Sequence, residues 1–204
     1  MRWIEKGLVS LVAVLAVVAV MPQPAAAQDL HPSRRPSPMG MARTHIDDAY
    51  VRVVYSRPYL RGRDNIFGTK ESEALVPFGE VWRTGANEAT EITVTGDVTV
   101  GGETLPAGTY SLFTTPGADA WKLHFNSALG LSGTGIFADG RFTPVDLAET
   151  DVLTVEAPVT ALAEDDEVDQ FTISFDATEA GADMVLRWHR TEVRLPVAVA
   201  ADAG

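Results

Sequence analysis

Cysteine is absent from the 204-residue chain. Its absence excludes thiol catalysis, thiolate metal sites and disulfide bonds, so a sizeable core must hold the fold together. Standard catalytic spacings are missing too: the four histidines form no HxH or HExxH motif, and Ser111 lies in no GxSxG motif. We therefore predict no metal and no cofactor, and the sequence assigns no catalytic residue.

Basic residues are scarce, with 16 Lys and Arg against 28 Asp and Glu and a net charge of −12. Residues 142–186 contain no lysine or arginine at all. Such a charge repels polyanions, so the composition argues against a nucleic-acid partner. The acidic run Glu164–Asp169 lacks the glycine and the alternating oxygen ligands of a calcium loop, and it predicts a solvated turn.

Long apolar runs are also lacking, apart from Leu8–Met21 near the N-terminus. Arg2 and Lys6 precede this run, and small residues follow it up to Ala27, which is the layout of a secretory signal peptide. Its fourteen residues are fewer than the ~20 needed to cross a bilayer as a helix. We expect residues 1–27 to be a cleaved signal peptide and the mature protein to be periplasmic or extracellular, without a stable membrane span. An uncleaved anchor is the alternative.

Helical periodicity is never sustained for more than two turns in the mature chain, whereas short alternating runs recur roughly every 8–15 residues. Residues 28–48 read as a flexible leader, 49–199 as one folded domain and 200–204 as a disordered tail. The glycine-rich stretch 130–140 is expected to be a mobile loop. The pattern predicts an all-β domain: an antiparallel β-sandwich or jelly-roll-like barrel of about 8–10 strands.

The apolar positions of the alternating runs form the predicted core. These positions are Val51, Val53, Ile92, Val94, Tyr110, Leu112, Trp121, Leu123, Phe125, Phe171, Ile173, Phe175, Leu186 and Trp188.

Polar and aromatic groups concentrate in one short segment, VWRTGANEAT, and this segment is the candidate site. Arg83 can form two parallel hydrogen bonds to a carboxylate or phosphate. Asn87 offers both a donor and an acceptor, and Glu88 can accept from hydroxyls or act as a base. We predict that these three residues bind a small polar, anionic or glycan-like ligand.

Three further residues are expected to join this site. Trp82 offers a stacking face for a sugar or a cation. Arg57 and Arg63 lie two turns earlier in the chain, and convergence of the arginines would make the pocket locally cationic on an acidic protein.

Other interpretations of this segment stay open at this stage. In one, it is a buried loop whose polar groups satisfy each other, with Arg83 paired to Glu88 or Glu80. In another, the protein is a hydrolase that uses Glu88 as base and Arg83 to stabilise charge. In a third, it is a structural module of the cell envelope without a ligand, and whether it is an enzyme is undecided.

Several short strings in the chain occur together in one known family. These strings are Tyr55–Pro58, Arg61–Arg63, Ile66–Gly68, Pro77–Gly79, Val81–Glu88, Leu105–Leu112 and Pro116 followed by Trp121. With them the chain resembles the secreted bacterial proteins of the domain-of-unknown-function family 2911, over roughly residues 50–197. The resemblance implies an exported all-β domain to which no biochemical role is attached.

Overall fold

The structure, a computed structural model, describes residues 34–200, which belong to one compact unit. The predicted signal peptide, the first part of the leader and most of the tail lie outside the described residues. Within residues 34–200, no helix has the length and apolar character that a bilayer crossing requires.

The described residues consist mainly of β-strands, with two short 3-10 turns at Lys70–Ser72 and Glu164–Asp166. The strands are β1 (Met39–Ile46), β2 (Ala49–Ser56), β3 (Phe67–Gly68), β4 (Val76–Pro77), β5 (Thr90–Val94), β6 (Val98–Val100), β7 (Glu103–Leu105), β8 (Gly108–Thr115), β9 (Ala120–Asn126), β10 (Gly135–Ala138), β11 (Arg141–Pro144), β12 (Asp151–Ala161), β13 (Val168–Thr178), β14 (Gly181–His189) and β15 (Thr191–Val199).

Eleven strands form one sheet in the order β1-β2-β5-β8-β9-β12-β15-β14-β13, with β6 paired to β15 and β7 paired to β6. Neighbours in this sheet run antiparallel. Backbone bonds also join the chain after β2 to β13, since the Phe171 amide donates to the Pro58 carbonyl at 2.9 Å and the Leu60 amide to the Asp169 carbonyl at 2.8 Å. The prediction of a single antiparallel all-β domain is confirmed.

The core follows the alternation of the strands. Every residue of the predicted core is buried except Phe175, which is half-buried and packs against it. Five aromatic rings, in the core or packed against it, meet mostly edge to face: Phe67, Trp82, Trp121, Phe171 and Trp188. Trp82 belongs both to this aromatic cluster and to the candidate segment 81–90, so the cluster anchors that segment to the core.

The flexible leader predicted for residues 28–48 is too long, because Met39–Ile46 forms β1 and pairs with β2 along its whole length. Two of its inward positions are the small residues Gly40 and Ala42, while Met41 is exposed on the other face. The apolar contrast between the two faces is therefore weak, and the period-two pattern is hidden in the sequence.

The glycine-rich stretch 130–140, predicted to be a loop, contains β10 and the turn of a β-hairpin. Asp139 and Gly140 both take positive φ, 51° and 73°, between β10 and β11. Asp-Gly is a strong signal for a two-residue hairpin turn. The surrounding glycines and the absence of a buried face beyond Gly135 concealed it.

Candidate functional site

Backbone and hydroxyl bonds fix the segment that contains Arg83. Trp82 exchanges backbone bonds with Thr114 of β8, at 2.7 and 2.9 Å, and the Thr90 amide donates to the Arg83 carbonyl at 3.1 Å. The Thr90 hydroxyl donates to the Thr84 carbonyl at 2.7 Å. The loop between Trp82 and Thr90 is therefore fixed beside β8 by hydrogen bonds at both of its ends.

Gly85 lets this segment approach β2. A Cβ at this position would lie 2.7 Å from the Ser56 carbonyl oxygen, closer than a real Cβ contact permits. The Gly85 carbonyl also accepts a bond from the Trp82 indole nitrogen at 3.0 Å. A glycine is therefore required by the close approach of two backbone segments.

Gly85→Ala is expected to lower the free energy of unfolding by about 1–3 kcal/mol, because overpacking against backbone cannot be relieved by a rotamer change. Urea denaturation of the two proteins measures the difference. Gly62→Ala is the control. Gly62 has a positive φ of 72°, as Gly85 has one of 158°, but a methyl group added at Gly62 would meet no other atom within 4 Å. Equal losses in the two variants would show that the contact with Ser56 is not limiting.

A cavity of about 570 Å³ opens beside the aromatic cluster. Its wall includes Trp82 and Trp188 and three arginines, Arg61, Arg63 and Arg83. No aspartate or glutamate is found among the described residues that line it. The cavity is therefore cationic, although the chain as a whole is acidic.

The Arg83 guanidinium is the exceptional group of this wall. Within residues 34–200 its Nε is buried and has no hydrogen-bond partner. Burial lowers the pKa of Arg83, and the charge of Glu88 offsets this only in part. Gly133 leaves room for the group, since a Cβ there would lie 3.1 Å from Arg83 Nη1. Buried donors almost always have partners, so this Nε–H distinguishes Arg83 from the other described groups of the wall.

The other two arginines of the wall are anchored by backbone carbonyls. Arg63 donates to the carbonyls of Leu60 at 2.9 Å and Tyr59 at 2.7 Å. Arg61 donates to the Pro36 carbonyl at 2.7 Å. Sequence reasoning selected Arg63 and missed Arg61, although both belong to the same Arg-Gly-Arg string.

Arg57 and Asn87 are not among the cavity-lining residues, and both are engaged in structural bonds. Arg57 donates to the Phe171 carbonyl at 3.2 Å and to the Thr172 hydroxyl at 2.9 Å, which ties the residue directly after β2 to β13. The Asn87 amide donates to Ser37 and Ser56. For Asn87, the observed bonds match the interpretation of a self-satisfied polar loop.

Glu88 faces a second, smaller hollow of about 190 Å³ beside β2 and is not part of the cavity wall. Its side chain is 54% exposed and forms an ion pair with Arg35, which also donates a hydrogen bond to it. Burial acts to raise the pKa of Glu88, but the bond from Arg35 and the charges of Arg35 and Arg83 outweigh it, so the pKa is lowered.

The carboxyl of Glu88 is therefore expected to titrate below its ordinary range in the folded protein, and Arg35→Gln is expected to raise that pKa. A lowered folded pKa means that this group stabilises the fold above its unfolded pKa and loses that contribution as the pH falls through the folded pKa. NMR titration of the Glu88 side-chain carbonyl carbon in both proteins checks this. Identical titration curves would contradict a role for Arg35.

Residues 36–38 run beside the cavity, and each of their three carbonyls accepts a hydrogen bond from the folded domain. The Pro38 carbonyl accepts from the Arg57 amide at 2.9 Å, the Ser37 carbonyl from Asn87 and the Pro36 carbonyl from Arg61. Pro36 and Ser37 also line the cavity. Two residues from within the predicted leader, 28–48, are therefore part of the cavity wall.

The two strand histidines have carboxylate partners away from the cavity. His124 Nδ1 lies 2.9 Å from an Asp151 carboxylate oxygen, and its Nε2 lies 3.0 Å from the Thr115 hydroxyl. His189 lies 3.3 Å from Glu167. Across the part of the chain that the structure describes, no group of three or more His, Asp or Glu side chains could hold a metal ion.

In a comparison with protein-family models, residues 37–197 match a family described as a protein of unknown function, DUF2911. The chain belongs to the DUF2911 family. A search of curated proteins and a search of solved structures returned no match. The DUF2911 region contains the whole cavity wall apart from Pro36. The candidate site of this chain therefore lies almost entirely within the region that matches the family, whose description names no activity.

Proposed function

We propose that this DUF2911 domain binds a small organic anion in the cavity, with Arg83 as the principal charged contact. The observation that carries the proposal is the buried Arg83 Nε, which finds no acceptor within residues 34–200. A buried donor without a partner costs about 1–3 kcal/mol, and more when it is charged. A ligand oxygen at this position would offset that cost.

The charge distribution supports an anion over a neutral glycan. Three guanidinium groups share a wall without a described carboxylate, on a chain of net charge −12. A cleft of one sign, lined by apolar walls, focuses the field and raises the local concentration of ligands of the opposite sign. The planar guanidinium fork matches a carboxylate or a phosphate. A neutral sugar would add no negative charge opposite the three guanidinium groups of the wall.

We propose no hydrolytic step, because Glu88 has neither the location nor the basicity of a general base for this cavity. It lines the smaller hollow, and its ion pair with Arg35 lowers its pKa. A general base works best with a pKa near the working pH. The cavity wall itself offers no described carboxylate or histidine for proton transfer.

Calorimetric titration of the mature protein with succinate and with its neutral analogue succinamide tests the proposal. Succinate is expected to bind, more weakly at high salt, because screening reduces the attraction of the arginines. Succinamide is expected to give no heat of binding. The proposal fails if citrate, phosphate and succinate all leave the protein unaffected, or if the neutral analogue binds equally well.

We also propose that the protein is exported and that cleavage after Ala27 produces the mature chain. The basic, apolar and small-residue regions within residues 1–27 support this. Mass spectrometry of the protein purified from its native cells is expected to show Gln28 as the first residue. Recovery of the intact N-terminus would contradict it.

A further inference from the structure

We infer that the anion is amphipathic: one carboxylate or phosphate group joined to a hydrocarbon or aryl body. This inference rests on the proposed function and names its ligand class. Three large apolar residues that line the cavity are substantially exposed: Leu75 at 46%, Val81 at 43% and Phe142 at 46%. Exposed apolar side chains grouped on one hollow are typical of a binding surface.

The cationic and apolar parts of the wall adjoin each other. A Cβ at Gly133 would lie 3.1 Å from Arg83 Nη1, and a Cβ at Gly135 would lie 2.7 Å from Phe142 Cζ. The segment 133–135 therefore lies close to a guanidinium at one end and to an aromatic ring at the other. Val81 stands two residues before Arg83, on the other side of Trp82. A single ligand can reach both kinds of surface.

The size of the cavity also favours a ligand with a body. About 570 Å³ lies within the range of roughly 300–1,000 Å³ typical of pockets for drug-sized molecules. A bare oxyanion bound at Arg83 would leave the aromatic and aliphatic wall in contact with water. A hydrocarbon or aryl group would remove that apolar surface from water, which is favourable in proportion to the area covered.

Titration with two soluble anions of different chain length tests this inference. Each buried methylene strengthens binding by about fourfold, so octanoate is expected to bind at least tenfold more tightly than butanoate. Vesicles of phosphatidylcholine with phosphatidylglycerol form a second arm, since the same chemistry occurs in anionic lipids. Binding of octanoate alone supports a free amphiphile, and binding of the anionic vesicles alone supports a membrane lipid.

The failures of the two proposals are distinguishable. Equal affinities for butanoate and octanoate, together with no vesicle binding, would overturn the amphipathic ligand and leave anion binding intact. If no anion binds, the proposed function itself fails.

Substitutions in the apolar wall provide an independent test. Phe142→Ser and Leu75→Ser are each expected to weaken octanoate binding about fivefold, and by a larger factor than they weaken succinate binding, because these side chains contact the hydrocarbon body of the ligand. Phe137→Ser is the matched control: it lies on the same hairpin, is 62% exposed and is not part of the wall. Equal octanoate affinities in all three variants and the unmodified protein would overturn the inference.

Discussion

Arg83→Met is expected to weaken succinate binding by at least about 100-fold and, at the same time, to raise the stability of the ligand-free protein by about 1 kcal/mol. Loss of binding follows because two charge-assisted hydrogen bonds disappear. The gain in stability follows because the buried Nε–H finds no acceptor within residues 34–200, and an unsatisfied buried donor disfavours the folded state. Methionine would fill similar space without a buried, unpaired donor.

Calorimetry and urea denaturation of the same preparations measure both effects. Arg52→Met is the matched control, since Arg52 is an exposed arginine of β2 outside the cavity wall. It should leave binding and stability within experimental error. A stability loss of about 2–4 kcal/mol in Arg83→Met would indicate instead that the guanidinium belongs to a structural polar network.

Trp188→Ala is expected to lower the free energy of unfolding by about 3–5 kcal/mol, the usual cost of removing a fully buried large aromatic side chain. The ring is buried, stacks on Trp82 with centroids 5.9 Å apart and meets Phe67 and Phe171 edge to face. Because Trp188 also lines the cavity, the substitution should weaken ligand binding as well.

Chemical denaturation followed by circular dichroism measures this loss. The control is Phe137→Ala, which removes an exposed ring from the β10–β11 hairpin and should change stability by less than about 0.5 kcal/mol. Similar losses in the two variants would mean that the aromatic cluster contributes little to the fold. They would also indicate that Trp188 is not needed to hold Trp82 in place.

The strands that could be predicted from the sequence are those with one clearly apolar face. Trp121, Leu123 and Phe125 alternate with polar residues in β9, and the structure buries all three. β1 escaped prediction because Gly40 and Ala42 occupy inward positions and give no apolar signal. Periodicity detects the difference in hydrophobicity between the two faces of a strand, so a strand that buries small residues gives almost no signal.

The candidate site could be predicted in part. Residue chemistry pointed to Arg83, Trp82 and Arg63, and the structure brings them to one cavity. Arg57 and Asn87 are equally suited to bind a polar ligand, but their side chains bond to residues far away in the sequence, Phe171 and Ser37. Whether a polar side chain is used internally depends on such long-range contacts, which no local pattern encodes.

In the proposed complex, a ligand oxygen accepts a hydrogen bond from the buried Nε–H of Arg83. NMR of the arginine Nε–H groups in the mature protein tests it directly, with Arg83→Lys assigning the resonance because lysine has no such group. We expect one Nε–H signal, absent in the variant, that shifts downfield and exchanges more slowly as succinate is added. A signal that is unchanged by every anion, including octanoate and phosphate, would contradict the account.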